Sequence, residues 1–158
     1  MSSEHKNLSV YNTDGIIDIS NKKFAVVVAE WNEEITGALY QGVFDTLIKH
    51  GAQKENILKI DVPGSYELSY GSQIYAAKEE IDAVIAIGCV IQGETKHNDY
   101  INNAVAQGLT SVSLKYNKPV IFGVLTPNTH QQAVDRAGGV HGNKGDEAAI
   151  TAIKMLSI

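Results

Sequence analysis

Four short runs of apolar residues, many of them β-branched, alternate along the chain with stretches in which apolar positions recur every three or four residues. The first run, Phe24–Ala29, is apolar at every position, as expected for a strand covered on both faces. The other runs are Ile57–Val62, Ala83–Ile91 and Pro119–Leu125. Because parallel strands need crossover helices, the alternation predicts a four-stranded parallel sheet between two helical layers, a three-layer α/β/α sandwich.

Between these runs the apolar positions follow the spacing of helices. The first helix is predicted to begin with Asn32 as its N-cap and to end at His50, before Gly51. A second helix is predicted over residues 67–78, although Gly71 disfavours it. Further helices are predicted over residues 96–116, over a short stretch ending near residue 137 and over residues 146–156, with a loop at 138–145.

Length and composition indicate a single soluble domain, residues 22–158, behind an N-terminal arm, residues 1–21. The net charge of −5 and the dispersed basic residues argue against a nucleic-acid partner. The arm lacks the features of a signal peptide, and no segment has membrane-spanning length, so we expect a cytoplasmic protein without a membrane partner. Leu8 and Ile19 make the arm too apolar for a solvated tail, and we expect it to pair with a neighbouring subunit.

Ligands of open parallel sheets bind beyond the carboxyl ends of the strands, and the chemically interesting residues of this chain lie there. Gly88 and Gly93 relax the backbone at the end of the third run, and His97 follows in the first turn of a predicted helix. A helix start offers unpaired N–H groups and a positive dipole end, which suit a phosphate, and Thr95 adds a hydroxyl. His97 can transfer protons near neutral pH. The segment therefore indicates an enzyme that acts on a small phosphorylated substrate.

These residues also have structural interpretations. His97 could be a surface histidine that begins a helix, and residues 93–95 could be a simple connector. Trp31 could pack in the core, or it could offer its indole face to a planar heterocycle. Glu67 could complement a helix dipole, or bind a ligand beside Ser65.

The candidate cations leave the same choice open. Arg136 could contact the carbonyls that end its helix, or it could pair with a phosphate. Lys144 alone is a weak candidate for the same role.

Several chemistries lack their sequence signals. Cys89 is the only cysteine, which excludes an intrachain disulfide and fits a reducing compartment, and its place in an apolar run favours packing over nucleophilic attack. The glycine patterns of dinucleotide-binding and P-loop proteins and the serine elbow of hydrolases do not occur. The histidines show no metal-ligand spacing, so we expect no metal.

Motifs spread from about residue 22 to residue 156 resemble those of the lumazine synthase family. They are Glu30–Asn32 (EWN), Val62–Leu68 (VPGSYEL), Gly88–His97 (GCVIQGETKH), Pro119–Thr126 (PVIFGVLT), and Arg136–Gly138 with Gly142–Gly145 (RAG and GNKG). Each motif is modest alone, but five in the family's order are specific. The resemblance implies a flavodoxin-like sheet and a transferase of riboflavin biosynthesis that needs no cofactor.

The implied reaction condenses 5-amino-6-(D-ribitylamino)uracil with 3,4-dihydroxy-2-butanone 4-phosphate. Its product is 6,7-dimethyl-8-ribityllumazine, and phosphate and water are released in this penultimate step of the pathway. By resemblance, His97 is the catalytic acid–base residue and Trp31 stacks on the pyrimidine. The other implied substrate-binding residues are Cys89, Val90, Ile91 and Phe122 around the pyrimidine, and Ser65, Tyr66 and Glu67 along the ribityl chain. The implied phosphate-binding residues are Glu94, Thr95, Arg136 and Lys144.

Two positions depart from the family pattern. Trp31 stands where many members have phenylalanine, and its larger face could also hold riboflavin, as in some members. Val140 stands where lysine is frequent, so we expect Lys144 to supply the contribution of this loop to phosphate binding.

The family assembles as homopentamers with active sites between adjacent subunits, and some members form icosahedral, capsid-like shells of sixty. Residues 138–145 lack the insertion that tends to block the packing of pentamers, so we expect a 60-mer. Three alternatives stay open at this point: a riboflavin synthase of the archaeal type, a non-catalytic flavin-binding or shell-forming protein, and a flavodoxin-like sugar-phosphate binder. The acid–base and phosphate positions His97, Thr95 and Arg136 are all retained, which argues against a decayed site.

Overall fold

The computed structural model describes residues 7–158, and its centre is a four-stranded parallel sheet. The strands are β1 (Phe24–Ala29), β2 (Ile57–Val62), β3 (Ala83–Cys89) and β4 (Val120–Leu125), in the order β2-β1-β3-β4. The helices are α1 (Glu33–Lys49), α2 (Leu68–Ala76), α3 (His97–Tyr116), α4 (His130–Arg136) and α5 (Lys144–Met155). Short 3₁₀ turns at Lys54–Asn56 and Ser65–Glu67 precede β2 and α2.

Both faces of the central strands are buried, which confirms the three-layer sandwich. Along β1, Val26 and Val28 lie in one apolar cluster with residues of α1 and α5. Their neighbours Ala25 and Val27 lie in a second cluster with residues of α2 and α3. Because successive side chains of a strand point to opposite faces, a continuous apolar run is the pattern that two covered faces require.

Gly71 is an integral part of α2, although it disfavoured the predicted helix. A Cβ at this position would lie 2.9 Å from Cγ1 of Val27 and 3.1 Å from Cγ1 of Val62, closer than side chains pack. The glycine therefore lets α2 approach the sheet, and burial of Leu68 on the same helix outweighs the weak helix propensity.

Asn32 occupies the predicted N-cap position of α1, but its side chain does not cap the helix. Its backbone is left-handed, with φ 63° and ψ 48°. The side-chain amide instead donates a hydrogen bond of 2.9 Å to the carbonyl of Cys89, at the end of β3. The interpretation of Asn32 as a capping side chain is therefore wrong.

A two-stranded antiparallel hairpin replaces most of the loop predicted at 138–145. It consists of β5 (Ala137–Gly139) and β6 (Gly142–Asn143), and α5 begins directly after it. The Asn143 side chain accepts from the Gly145 N–H at 2.7 Å and donates to the Ala38 carbonyl at 2.9 Å. This residue therefore caps α5 and attaches the hairpin to α1.

The described part of the N-terminal arm lies against its own chain. Leu8 and Ile19 are buried, and the Leu8 N–H donates to the carbonyl of His141 at 2.8 Å. Residues 1–6 of the predicted arm lie outside the described residues. Pairing of the arm with a neighbouring subunit stays a prediction. Within residues 7–158, no helix has both the length and the hydropathy that a membrane span needs.

Candidate active site

A cavity of about 810 Å³ opens beyond the carboxyl ends of β1 and β3. Its volume lies in the range of small-molecule sites, and its place is the one that ligands occupy in open α/β sheets. The predicted site residues that line it are Trp31, Ser65, Tyr66, Glu67, Cys89, Val90, Ile91, Thr95 and His97. The structure therefore brings together residues that are up to 66 positions apart in the sequence.

Trp31 lies on the surface at this cavity, with 73% of its area exposed. The interpretation of Trp31 as a core residue is therefore wrong. The backbone N–H of Glu30 donates to the carbonyl of Val62 at 2.8 Å, and that of Trp31 donates to the carbonyl of Pro63 at 3.3 Å. These bonds hold the end of β1 beside the turn after β2, and leave an indole available to a planar ligand.

Ser65 lies close to Gly88 of β3. A Cβ at Gly88 would lie 2.6 Å from the Ser65 hydroxyl oxygen and 2.9 Å from Cδ1 of Leu68, so a larger residue there would force both side chains to move. The Ser65 hydroxyl is buried, and no residue within 7–158 forms a hydrogen bond with it. Rotation about its Cα–Cβ bond toward a ligand would therefore break no hydrogen bond. Tyr66 and Glu67, in the same turn, are exposed at the cavity.

The start of α3 supplies the proton-transfer candidate. His97 is the first residue of the helix, is exposed and lines the cavity together with Thr95. The Thr95 hydroxyl accepts from the His97 N–H at 3.4 Å, a long bond that a stronger anionic acceptor could replace. The imidazole and the helix start therefore face one cavity, which is the arrangement that the sequence predicts.

Cys89 lines the cavity, but its thiol is not a reactive one. Its side chain is buried, and burial raises the pKa of the thiol to about 11. The sulfur therefore stays protonated near neutral pH, which agrees with packing and disfavours nucleophilic attack. Past this residue, the N–H groups of Val90 and Gln92 donate to the carbonyls of Leu125 and Pro127, so this wall of the cavity is tied to the end of β4.

Four predicted site residues lie outside the cavity of their own chain: Glu94, Phe122, Arg136 and Lys144. Phe122 is three residues before the end of β4, about 10 Å along the strand from its carboxyl end. Glu94 is exposed in the bend before α3. Arg136 ends α4, and its Nη1 donates to the carbonyl of Gln132 at 3.0 Å. Lys144 begins α5 and pairs with Glu147, with 2.9 Å between Nζ and Oε1.

The hairpin brings the two candidate cations together. It pairs Ala137 with Asn143, so Arg136 and Lys144, which flank this pair, lie at the same end. We call Arg136 and Lys144 the basic corner. Among the described residues that line the cavity there is no lysine or arginine. The sequence predicts both cations, but not the hairpin that joins them, because the glycine-rich pattern of residues 138–145 is typical of a loop.

Asn32 also lines the cavity and was not among the predicted site residues. Its place in the motif next to Trp31 was visible in the sequence, but an asparagine before a helix is the usual sign of an N-cap.

A sequence profile described as 6,7-dimethyl-8-ribityllumazine synthase matches residues 21–158. The chain belongs to this family. A protein of Cytophaga hutchinsonii named 6,7-dimethyl-8-ribityllumazine synthase is 61% identical over 157 residues, which cover 99% of this chain and 98% of the relative. Proteins with the same name from Parabacteroides distasonis and Flavobacterium johnsoniae are each 50% identical, over 99% and 100% of this chain and 98% and 83% of the relatives.

Family membership confirms the resemblance that the five sequence motifs carried. It also agrees with the parallel four-stranded sheet, which is flavodoxin-like in its alternation of strands and helices. No group of three or more metal-ligating side chains occurs within residues 7–158.

Proposed function

We propose that the protein condenses 5-amino-6-(D-ribitylamino)uracil with 3,4-dihydroxy-2-butanone 4-phosphate to form 6,7-dimethyl-8-ribityllumazine. Relatives that cover nearly the whole chain carry the name of this activity. The observation that carries the proposal is the shared cavity, in which His97 and Thr95 lie with Trp31 and Glu67. The cavity thus combines a proton carrier, a helix start suited to phosphate, and an aromatic face.

The reaction asks for positioning and proton transfer more than for a strong nucleophile. The substrate's own amine attacks the ketone, water leaves as the imine forms, phosphate is eliminated, and the ring closes. Protons move in each of these steps, and His97 is the group in the cavity that can donate and accept them near neutral pH. Holding two substrates together supplies much of the remaining acceleration.

The pyrimidine and its ribityl chain fit the part of the cavity nearest the sheet. Trp31 stacks on the ring, Cys89 lines the pocket, and the backbone beyond the Cys89–Val90 peptide, at Val90 and Ile91, offers hydrogen-bonding groups to its polar edges. Ser65, Tyr66 and Glu67 lie along the ribityl chain, where hydroxyl and carboxylate groups can bond its hydroxyls. The exposed Trp31 face also supports riboflavin itself as a ligand.

The phosphate of the second substrate binds at the start of α3, beside Glu94 and Thr95. This helix start offers backbone N–H groups, but no arginine or lysine of residues 7–158 lines the cavity to bind a phosphate dianion. The basic corner, Arg136 and Lys144, supplies the missing charge from a neighbouring subunit, and Phe122 of that subunit closes the pyrimidine side. The active site is therefore shared between subunits.

The surface of α3 supports such an assembly. From Tyr100 to Leu114 the helix carries no charged residue, and both of these end residues are exposed, Leu114 by 79%. Because burial of this face would remove no charged side chain from water, it suits contact with further copies of the chain. We assign a homopentamer and, because residues 138–145 hold only the hairpin and the start of α5 with no insertion, a shell of sixty subunits.

The decisive experiment mixes the purified protein with both substrates and follows the fluorescence of the lumazine. Signal only when both are present supports the proposal, and omission of either substrate is the control. Formation of riboflavin from the lumazine as sole substrate would instead indicate a riboflavin synthase. Light scattering after size-exclusion chromatography tests the assembly: a mass near sixty chains supports the shell, a mass near five refutes it, and a monomer refutes both.

A further inference from the structure

The ends of the central strands diverge at the cavity. The ladder between β1 and β3 ends at the pair Val28 and Ile87. Beyond it, the backbone of Glu30 and Trp31 turns to β2, through the hydrogen bonds to Val62 and Pro63. The chain after β3 turns the other way, because the Val90 N–H donates to Leu125 of β4 at 2.8 Å. The two strands that form the walls of the cavity therefore separate where a ligand would enter.

This divergence leaves one carbonyl facing the gap. In a trans peptide the C=O and N–H groups point in opposite directions. Because the Val90 N–H points to β4, the Cys89 carbonyl of the same peptide points toward β1. No backbone N–H of β1 remains there, and the Asn32 amide fills the position with its bond of 2.9 Å. The side-chain amide of Asn32 thus takes the place of a backbone N–H in the hydrogen-bond ladder between β1 and β3.

The backbone of Asn32 is adapted to this bond. Its φ of 63° lies in the left-handed region, which asparagine tolerates better than most residues. The only other non-glycine residue with positive φ among residues 7–158 is Asn117, at the far end of α3 and outside the cavity. Asn32, between Trp31 and α1, thus has a backbone conformation that most residues disfavour. This conformation directs its side-chain amide back to β3.

We propose that Asn32 is a positioning residue that fixes the width of the pyrimidine site. Its amide joins the strand end that carries Trp31 to the peptide of Cys89 and Val90, and these are the two walls against which the pyrimidine lies. The inference rests on the proposed function for the identity of the ligand. The phosphate end of the cavity, at the start of α3, lies outside this connection, so loss of the amide affects one substrate and not the other.

Two substitutions separate the amide from the backbone conformation. Asn32→Gly keeps the left-handed conformation accessible and removes the donor, and Asn32→Asp keeps the size but sets a carboxylate oxygen against the Cys89 carbonyl. We expect both to raise the KM for the aminouracil about tenfold, the loss expected for one hydrogen bond. The KM for the butanone phosphate should stay within about twofold. Asn117→Gly and Asn117→Asp are the matched controls and should leave both KM values at wild type.

A second readout needs no turnover. Trp31 is the only tryptophan, so its fluorescence anisotropy and its quenching by acrylamide report the wall that Asn32 holds. Both Asn32 variants should lower the anisotropy and increase quenching, with no such change in the Asn117 variants. Equal rises in both KM values, or Asn32 variants that behave as their Asn117 counterparts, would overturn the assignment. If the wild type forms no lumazine the proposed function fails, whereas the Trp31 measurement still decides the role of Asn32.

Discussion

The cavity and the basic corner divide the predicted site residues between two regions of the same chain. The cavity holds the imidazole of His97, the indole of Trp31 and the helix start at Thr95, and none of the residues between 7 and 158 that line it is a lysine or arginine. The basic corner holds Arg136 and Lys144, which lie at one end of the β5–β6 hairpin and outside the cavity. One region offers proton transfer and stacking without cations, and the other offers cations without a cavity.

Under the proposed function, this division leads us to expect that one copy of the chain does not suffice for the reaction. A phosphate dianion binds best where N–H donors and a guanidinium converge, and each region has only part of that set. If the basic corner of one subunit meets the cavity of the next, both requirements are met at one interface. Changes in the two regions should then produce different kinetic defects, even though they affect one reaction.

The largest effect is expected in the cavity. His97→Ala should lower kcat by about 10²–10⁴-fold, the usual contribution of one general acid–base group, and leave measurable activity because substrate positioning persists. Steady-state kinetics with both substrates measures this, and imidazole in the buffer should restore part of kcat. His130→Ala, which removes a histidine outside the cavity, is the control. A wild-type rate for His97→Ala would remove the residue from the mechanism.

A smaller effect of a different kind is expected at the basic corner. Arg136→Ala removes a charge-assisted bond, about 1.5–3 kcal/mol, and should raise the KM for the butanone phosphate by ~10- to 100-fold. The KM for the aminouracil should not change, and Arg136→Lys should recover part of the loss. If the aminouracil KM rose equally, Arg136 would act on the fold and not on the phosphate.

The strands could be predicted from the sequence because burial on both faces produces continuous apolar runs, as in Phe24–Ala29. His97 could be placed because a strand, glycines and a helix follow each other within a few residues. The bond of Asn32 to Cys89 and the attachment of the hairpin to Ala38 could not be predicted. Each joins residues distant in sequence, and a local pattern carries no information about such contacts.

Mixing the two variants tests directly whether the regions meet across an interface. Subunits of His97→Ala and Arg136→Ala, unfolded together and reassembled in equal amounts, should form some interfaces in which both contributing residues are wild type. With random mixing this is about a quarter of the interfaces of a ring, and activity measured at butanone phosphate well below its KM should recover to about that fraction of wild type. Each variant reassembled alone is the control. Activity equal to the mean of the two controls would mean that the cavity and the basic corner act within one subunit.

The smallest effect concerns Cys89, which lines the cavity. This residue is buried, whereas both residues of the basic corner are partly exposed to water. Burial raises the pKa of the Cys89 thiol to about 11, so only about 0.1% of it is thiolate at pH 8. We expect slow reaction of the native protein with a thiol reagent, with a rate that rises about tenfold per pH unit toward pH 11, and rapid reaction after unfolding in urea. Reaction that levels off near pH 8.5, the ordinary range of cysteine, would show that water reaches the sulfur. Cys89 would then be as accessible to water as the basic corner, and the apolar site assigned to the pyrimidine would lose its support.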